Sequence, residues 1–529
     1  MYDLIIKNGT VVDGVRSAPR KADVAVADGR IAVVAPEITG EAKTVIEAAG
    51  KVVSPGFIDI HSHSDACPLV DYEPESKLAQ GVTTEITGNC GISIVPSTPQ
   101  TNDAISEYFF SELELPRRGL SIKGMHSVAD YAARVAAKGT AINYGLLVGH
   151  GTLRGAVMGF VDRDPTPDEM EQLKDRLVRE LDEGAFGMSL GLIYPPSSFS
   201  KREELVELSK VLAEHDALLT VHMRNEGPRI FEAVDEMIDI TRKSGVHLEI
   251  SHLKLMGKPQ WGRSAELLEK IESARAEGLR INCDQYPYTA TSTSMTALLP
   301  GWAHDGGIGA LVERVGAPTK ELKNATAREM DNRGGPSCVM VSGTHGMHPE
   351  WEGRTVEQIA AMLGLEPVDA VMKVLADCRG SVACIYFCIS EPDVLNIMKD
   401  LRISVGSDGY GFSFDRSITA TNPHPRSFGT FPRFLRTVRE HALMPLEDAV
   451  YKMTGLPASV LGMNDRGVIR EGAAADLTVF DWNAVTDASE FTDSVRPPLG
   501  IEHVIVSGAV ALKAGVAQKT RTGGALLKK

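Results

Sequence analysis

Two histidines stand two residues apart at the end of an apolar run, in GFIDIHSH, where they are His61 and His63. On a strand, residues two apart share a face, so both rings point the same way. Other apolar runs end in groups of the same kind. VTTEITGNC ends in Cys90, ALLTVHM carries His222, HLEISHL carries His252 and RISVGSD ends in Asp408. Imidazole, thiolate and carboxylate are the ligand types that zinc takes. A lone histidine at a strand end is ordinarily packed or at the surface, and a lone cysteine is ordinarily a small buried hydrophobe. Here four of the 14 histidines, one cysteine and one aspartate fall at corresponding positions of five separate runs. The chemistry that this pattern indicates is the binding of a divalent metal.

Those runs belong to a longer series. Apolar strands are expected at 56–63, 82–89, 141–149, 185–192, 217–223, 247–253, 279–285 and 402–408. Between several of them lie amphipathic helical stretches such as DEMEQLKDRLVRELDEG and REELVELSKVLAEHD. Eight strands alternating with helices predict an α/β fold, a (β/α)8 TIM-like barrel over 56–465. Such barrels place their chemistry at the C-terminal ends of the strands, which is where the metal-ligand types stand. Residues 1–55 read instead as short strands joined by Asn-Gly and Asp-Gly turns, and 466–529 return to that texture. The two ends are expected to form one small β-sandwich domain. Strands seven and eight are too far apart for a single helix, so a lid or substrate subdomain is expected over 286–345. SVACIYFCIS is either an extra strand or part of strand seven, and the tail after about 515 reads as frayed.

The composition narrows the class. Of 529 residues, 43% are hydrophobic and 24% charged, which is globular rather than disordered. Seventy acidic and 55 basic residues give a net charge of −15. That disfavours nucleic-acid partners, and there are no basic runs to hold an anionic membrane. No stretch approaches the ~20 apolar residues of a membrane span, and no secretory signal is evident. Seven cysteines make no disulfide framework. The reading is a reduced, cytoplasmic enzyme acting on a small molecule, with its oligomeric state open.

GFIDIHSHSD, GVTTEITGNCG, VHMRNEG, EISHLK, DQYPYTA, GSDG and HPRSFGTFPR, in this order, resemble the amidohydrolase superfamily. More narrowly, the chain resembles the N-acyl-D-amino-acid deacylases, collinearly over about residues 1–515. The resemblance implies one tight Zn2+ site made of Cys90, His222 and His252, and a weaker second metal site at His61 and His63. It makes Asp408 the catalytic acid/base. It assigns the substrate α-carboxylate to Lys254, a tyrosine of the YPY segment and the arginine of HPR. These match Tyr286 and Arg426, with Tyr288 an open alternative to Tyr286. Tyr194, in the GLIYPP loop, is expected to line the site. Many related barrels bridge two metals with a carbamylated lysine on strand four. AFGMSLGL has no lysine, and Cys90 fits as its replacement.

The implied reaction is amide hydrolysis, giving a carboxylate and a free D-amino acid. Zinc lowers the pKa of bound water to about 7 and polarises the scissile carbonyl. Asp408 takes the proton of that water and delivers it to the leaving nitrogen. The 410–423 loop, YGFSFDRSITATNP, is longer than the family pattern and leaves side-chain preference open. Ser294, Met295, Leu298, His345 and Met347 are candidates for the pocket wall. TATSTSMTALLPGW contains no arginine, which favours neutral or hydrophobic side chains over acidic ones. The alternatives are a related enzyme for D-aminoacyl esters, dipeptides or hydantoin-like cyclic amides.

Overall fold

The computed structural model describes residues 1–72, 74–98, 122 and 124–529. Among them, eight parallel strands follow one another around a barrel. They are Phe57–Asp59, Val82–Thr87, Asn143–Leu146 continued as Val148–Gly149, Gly187–Gly191, Leu218–His222, His247–Ile250, Ile281–Gln285 and Ile403–Val405. Each pairs in parallel with the next. A parallel bridge between Ser62 and Gly409 joins the eighth to the first. Strands four and five are buried at every position. Parallel strands covered on both faces read as continuous apolar runs, which is why all eight were expected where they are found.

The helices cover the barrel with one apolar stripe each. Pro167–Asp182 starts in a capping box between Thr166 and Glu169 and buries Leu173, Leu177 and Leu181. Ile230–Ser244 buries Val234, Met237 and Ile238 and stops at Gly245, whose φ of 76° is left-handed.

Both ends of the chain build one nine-stranded sheet. Tyr2–Val11, Arg20–Ala27, Arg30–Ala35, Ala42–Glu47 and Val52–Pro55 come from the start. Leu477–Phe480, Ile501–Val506, Ala509–Lys513 and Val516–Ala517 come from the end. The antiparallel pairing of Val52–Pro55 with Leu477–Phe480 joins the two sets. Tyr2–Val11 pairs with Ala42–Glu47 along its first half and with Val52–Pro55 along its second. The sheet therefore branches, and it encloses Leu4, Ile6, Val24, Ile31, Val53 and Leu477.

Between strands seven and eight, the insertion extends well beyond 345. Its antiparallel sheet has Ala383–Tyr386 in the centre, flanked by Thr291–Ser294 and Val339–Gly343. The central strand comes last in sequence, so the layer cannot close before Tyr386. SVACIYFCIS is thus an extra strand. Helices Gly307–Gly316, Lys320–Asn332, Val356–Leu363 and Pro367–Asp377 belong to the same insertion.

The tail is not frayed. Leu526 N–H donates to Tyr144 O at 2.7 Å, Tyr144 N–H donates to Gly524 O at 2.9 Å, and Lys528 N–H donates to Gly184 O at 2.9 Å. Strand four does not start until Gly187, so the start of strand three has an open edge, and the tail fills it. Leu526 packs there against the cluster that contains Ile58, Ile86, Leu147 and Phe186.

Candidate active site

The site forms where strands one, two, five, six, seven and eight end. Asp284, on strand seven, fixes two neighbours at once. Its carboxylate lies 3.1–3.2 Å from His61 Nδ1 and accepts the His252 backbone N–H at 2.8 Å. His61 Nε2 therefore faces inward, 3.4 Å from Cys90 Sγ and 3.4 Å from Asp408 Oδ1. Cys90 Sγ is 3.5 Å from His252 Nε2, which is 2.9 Å from His222 Nδ1. His63 Nε2 lies 3.0 Å from Asp408 Oδ1.

Cys90, His252 and Asp408 all take a left-handed φ, of 52°, 39° and 52°. Non-glycine residues rarely do so, and such strain collects at functional sites. Gly191 makes room for one of these turns, since a Cβ there would stand 1.9 Å from the Cys90 carbonyl oxygen.

The donor set suits a divalent metal. Zinc–sulfur bonds of ~2.3 Å and zinc–nitrogen bonds of ~2.0–2.1 Å space tetrahedral ligand atoms about 3.3–3.6 Å apart. Two groups of potential ligands have mutual distances within 4.8 Å: His61, Cys90, His252 and Asp408, and His222, Glu226 and His252. Burial alone would raise the Cys90 thiol, but His61, His222 and His252 outweigh it and hold it well below the ordinary thiol range. That favours the thiolate, the form that binds metal. Burial also opposes the charge on Asp408, yet Arg426, His252 and His61 hold its carboxyl well below the usual range.

Beside the cluster, two cations flank a tyrosine. Lys254 Nζ is 5.7 Å and Arg426 Cζ is 5.1 Å from the Tyr286 ring centre. Lys254 donates to Glu226 Oε1 at 2.6 Å and to His252 O at 3.0 Å. Arg426 opens the helix Arg426–His441 and reaches Asp408 Oδ2 at 2.6 Å. The Tyr286 hydroxyl is buried and has no hydrogen-bond partner among the described residues. Tyr288 differs, because its hydroxyl donates to Pro425 O at 3.3 Å. Of the two tyrosines, Tyr286 is the one with an uncommitted hydroxyl at the site.

The amidohydrolase family model matches residues 44–512. The chain belongs to that family. It is 35% identical over 509 residues to a D-aminoacylase of Alcaligenes xylosoxydans xylosoxydans, covering 96% of this chain and 94% of that one. It is also 35% identical to an N-acyl-D-glutamate deacylase of the same organism, covering 96% and 93%. The structure of N-acyl-D-glutamate deacylase from Bordetella bronchiseptica, complexed with zinc and a phosphonate mimic of the tetrahedral intermediate, superposes with a TM-score of 0.82. Its identity is 32%, with 99% of both chains covered.

In this amidohydrolase a cavity of about 920 Å3 opens from His63, Cys90, His222, Asp408 and Arg426. Tyr194 lines it, with its ring edge-on to His222 at 5.1 Å and its hydroxyl 2.8 Å from Thr293 Oγ1. Of the expected wall residues, Ser294 and Leu298 line the cavity. Met295 is buried in the core and Met347 packs against that core. His345 borders a separate cavity of about 100 Å3, which also touches Tyr410, Phe412 and Arg426. Tyr410 is the residue of the long 410–423 loop that reaches both cavities.

Three buried residues at the amidohydrolase site had no role in the sequence reading. Glu226 lies in VHMRNEG, and Asp284 opens DQYPYTA. A carboxylate four residues after His222, or at the end of a barrel strand, is the signal that marks them. Lys77 is the third. Its Nζ contacts Asp59 Oδ2 at 2.7 Å, Ser407 Oγ at 2.6 Å and Glu85 Oε1 at 3.0 Å, bracing the chain beside Asp408.

Proposed function

We propose that this amidohydrolase hydrolyses N-acyl-D-amino acids to a carboxylate and the free D-amino acid with the help of zinc. The observation that carries the reading is the buried, unpartnered Tyr286 hydroxyl between Lys254 and Arg426, next to the cysteine–histidine cluster. That is a seat for a carboxylate beside a metal. The D configuration is supported by the named activities of the D-aminoacylase and N-acyl-D-glutamate deacylase relatives.

In this reading Cys90, His222 and His252 hold the tight metal, and His61 and His63 hold a weaker second one. Zinc bound there supplies a water of lowered pKa and a Lewis acid for the scissile carbonyl. Lys254, Tyr286 and Arg426 bind the substrate α-carboxylate, where guanidinium can offer two parallel N–H donors. Asp408, ionised and held by His63 and Arg426, accepts the proton of the attacking water. As the C–N bond breaks, Asp408 returns that proton to the amine nitrogen. Tyr194 forms the wall of the pocket on the His222 side.

A neutral or apolar side chain suits the wall formed by Leu298, Ile308 and Leu311. A second reading has its own support. Arg328 and Arg379 line the same cavity and are exposed, and neither makes an ion pair among the described residues, which suits an acidic group. Comparing kcat/KM for N-acetyl-D-methionine and N-acetyl-D-glutamate decides between them. A D-methionine ester and a hydantoin in the same assay test the alternative bonds, and faster turnover of either would displace the deacylase reading. No helix among the described residues is long and apolar enough to cross a membrane. A cytoplasmic location belongs to the proposal and is supported by seven free cysteines.

A further inference from the structure

Glu226 is buried, and its two oxygens face three groups of the site. Oε1 accepts from Lys254 Nζ at 2.6 Å and lies 3.0 Å from His252 Nδ1. Oε2 lies 3.5 Å from His222 Nε2, which has no hydrogen-bond partner among the described residues. Each histidine turns its other nitrogen inward. His252 Nε2 is 3.5 Å from Cys90 Sγ, and His222 Nδ1 is 2.9 Å from His252 Nε2. One carboxylate therefore stands behind both imidazoles and beneath the lysine.

Glu226 is poorly placed to be a ligand itself. Lys254 Nζ sits 2.6 Å from Oε1 and 2.8 Å from His252 Nδ1, on the ground that a cation shared by the two would need. A second positive charge there would be repelled. A carboxylate behind a metal-ligating histidine instead fixes its tautomer, aims its ring and raises its basicity.

We propose that Glu226 is a positioning residue that serves two tasks with one side chain. It orients the metal-facing nitrogens of His252 and His222, and it holds the Lys254 ammonium in place for the substrate carboxylate. Metal retention and carboxylate recognition are thereby coupled. The inference rests on the assignment of His222 and His252 as metal ligands and of Lys254 as a carboxylate binder.

The test uses the full-length protein with zinc, and the variants Glu226→Gln, Glu226→Asp and Lys254→Met. Zinc affinity is read by competition with a colorimetric chelator, and KM is read with N-acetyl-D-methionine. Glu226→Gln is expected to bind zinc about 10–100-fold more weakly, the usual cost of losing such a partner, and to raise KM. Lys254→Met is expected to raise KM with zinc affinity unchanged. Glu226→Asp keeps the charge and is expected to recover part of the lost zinc affinity. Wild-type zinc affinity in both Glu226 variants overturns the proposal, as does a loss of the same size in Lys254→Met. Zinc affinity is measured without turnover. A wild-type protein that binds zinc and leaves the amide intact would therefore sink the deacylase reading and spare this one.

Discussion

Asp408 Oδ2 lies 2.6 Å from Arg426 Nη1. The group assigned to proton transfer is therefore ion-paired with a group assigned to substrate binding. A substrate carboxylate that engages Arg426 draws positive charge away from Asp408. The carboxylate then becomes a better base when substrate is in place, because an opposite charge nearby is what lowers its pKa.

Asp408→Asn removes the proton acceptor and keeps the shape. General acid–base groups typically contribute about 10²–10⁴-fold, so kcat should fall by that order. Zinc per chain should stay at the wild-type level, since the proposed ligands Cys90, His222 and His252 are intact. Steady-state kinetics with metal analysis on the same sample checks both. A variant with the wild-type rate would remove Asp408 from the mechanism.

Arg426→Gln should raise KM and also move the pH profile. Burial pushes the Asp408 carboxyl up, and Arg426 is the foremost charge holding it down. Without Arg426 its pKa rises, so a higher pH is needed to ionise it. The acid limb of kcat/KM against pH should shift to higher pH. A limb that stays in place, or moves to lower pH, contradicts the pairing.

Tyr286→Phe separates binding from folding. The hydroxyl makes no hydrogen bond within the described protein, so the melting temperature should hold. A hydrogen bond to a charged partner contributes about 1.5–3 kcal/mol, so kcat/KM should fall roughly ten- to a hundredfold. An unchanged kcat/KM would place the substrate carboxylate elsewhere.

Deleting residues 522–529 tests the docked tail. Four backbone hydrogen bonds, to Thr140, Tyr144 and Gly184, are lost, each typically ~0.5–1.5 kcal/mol, together with the packing of Leu526. The melting temperature should drop. The tail sits at the N-terminal ends of the barrel strands, so kcat/KM of the folded fraction should not change. An unchanged melting temperature would show that the tail contributes nothing.

The sequence made the barrel legible because its strands are buried on both faces and end in conspicuous side chains. His61, Cys90, His222, His252 and Asp408 all stand at one barrel mouth. Glu226 and Asp284 lay inside quoted motifs without a role, because which imidazole nitrogen a carboxylate backs is a matter of three-dimensional placement. The extent of the insertion is hidden in the sequence for a similar reason. Thr291–Ser294 pairs with Ala383–Tyr386, far along the chain, and no local pattern announces such a partner. The tail AQKTRTGGALLKK has the composition of a loose end, yet it is held through its backbone by an edge that only the folded barrel offers.

The most direct test of the account is made on one purified sample, by measuring zinc per chain and the hydrolysis of N-acetyl-D-methionine against its L form. The account predicts at least one tightly held zinc and turnover selective for the D form. Zinc bound with no turnover of either form would leave a metal site standing and contradict the deacylase assignment.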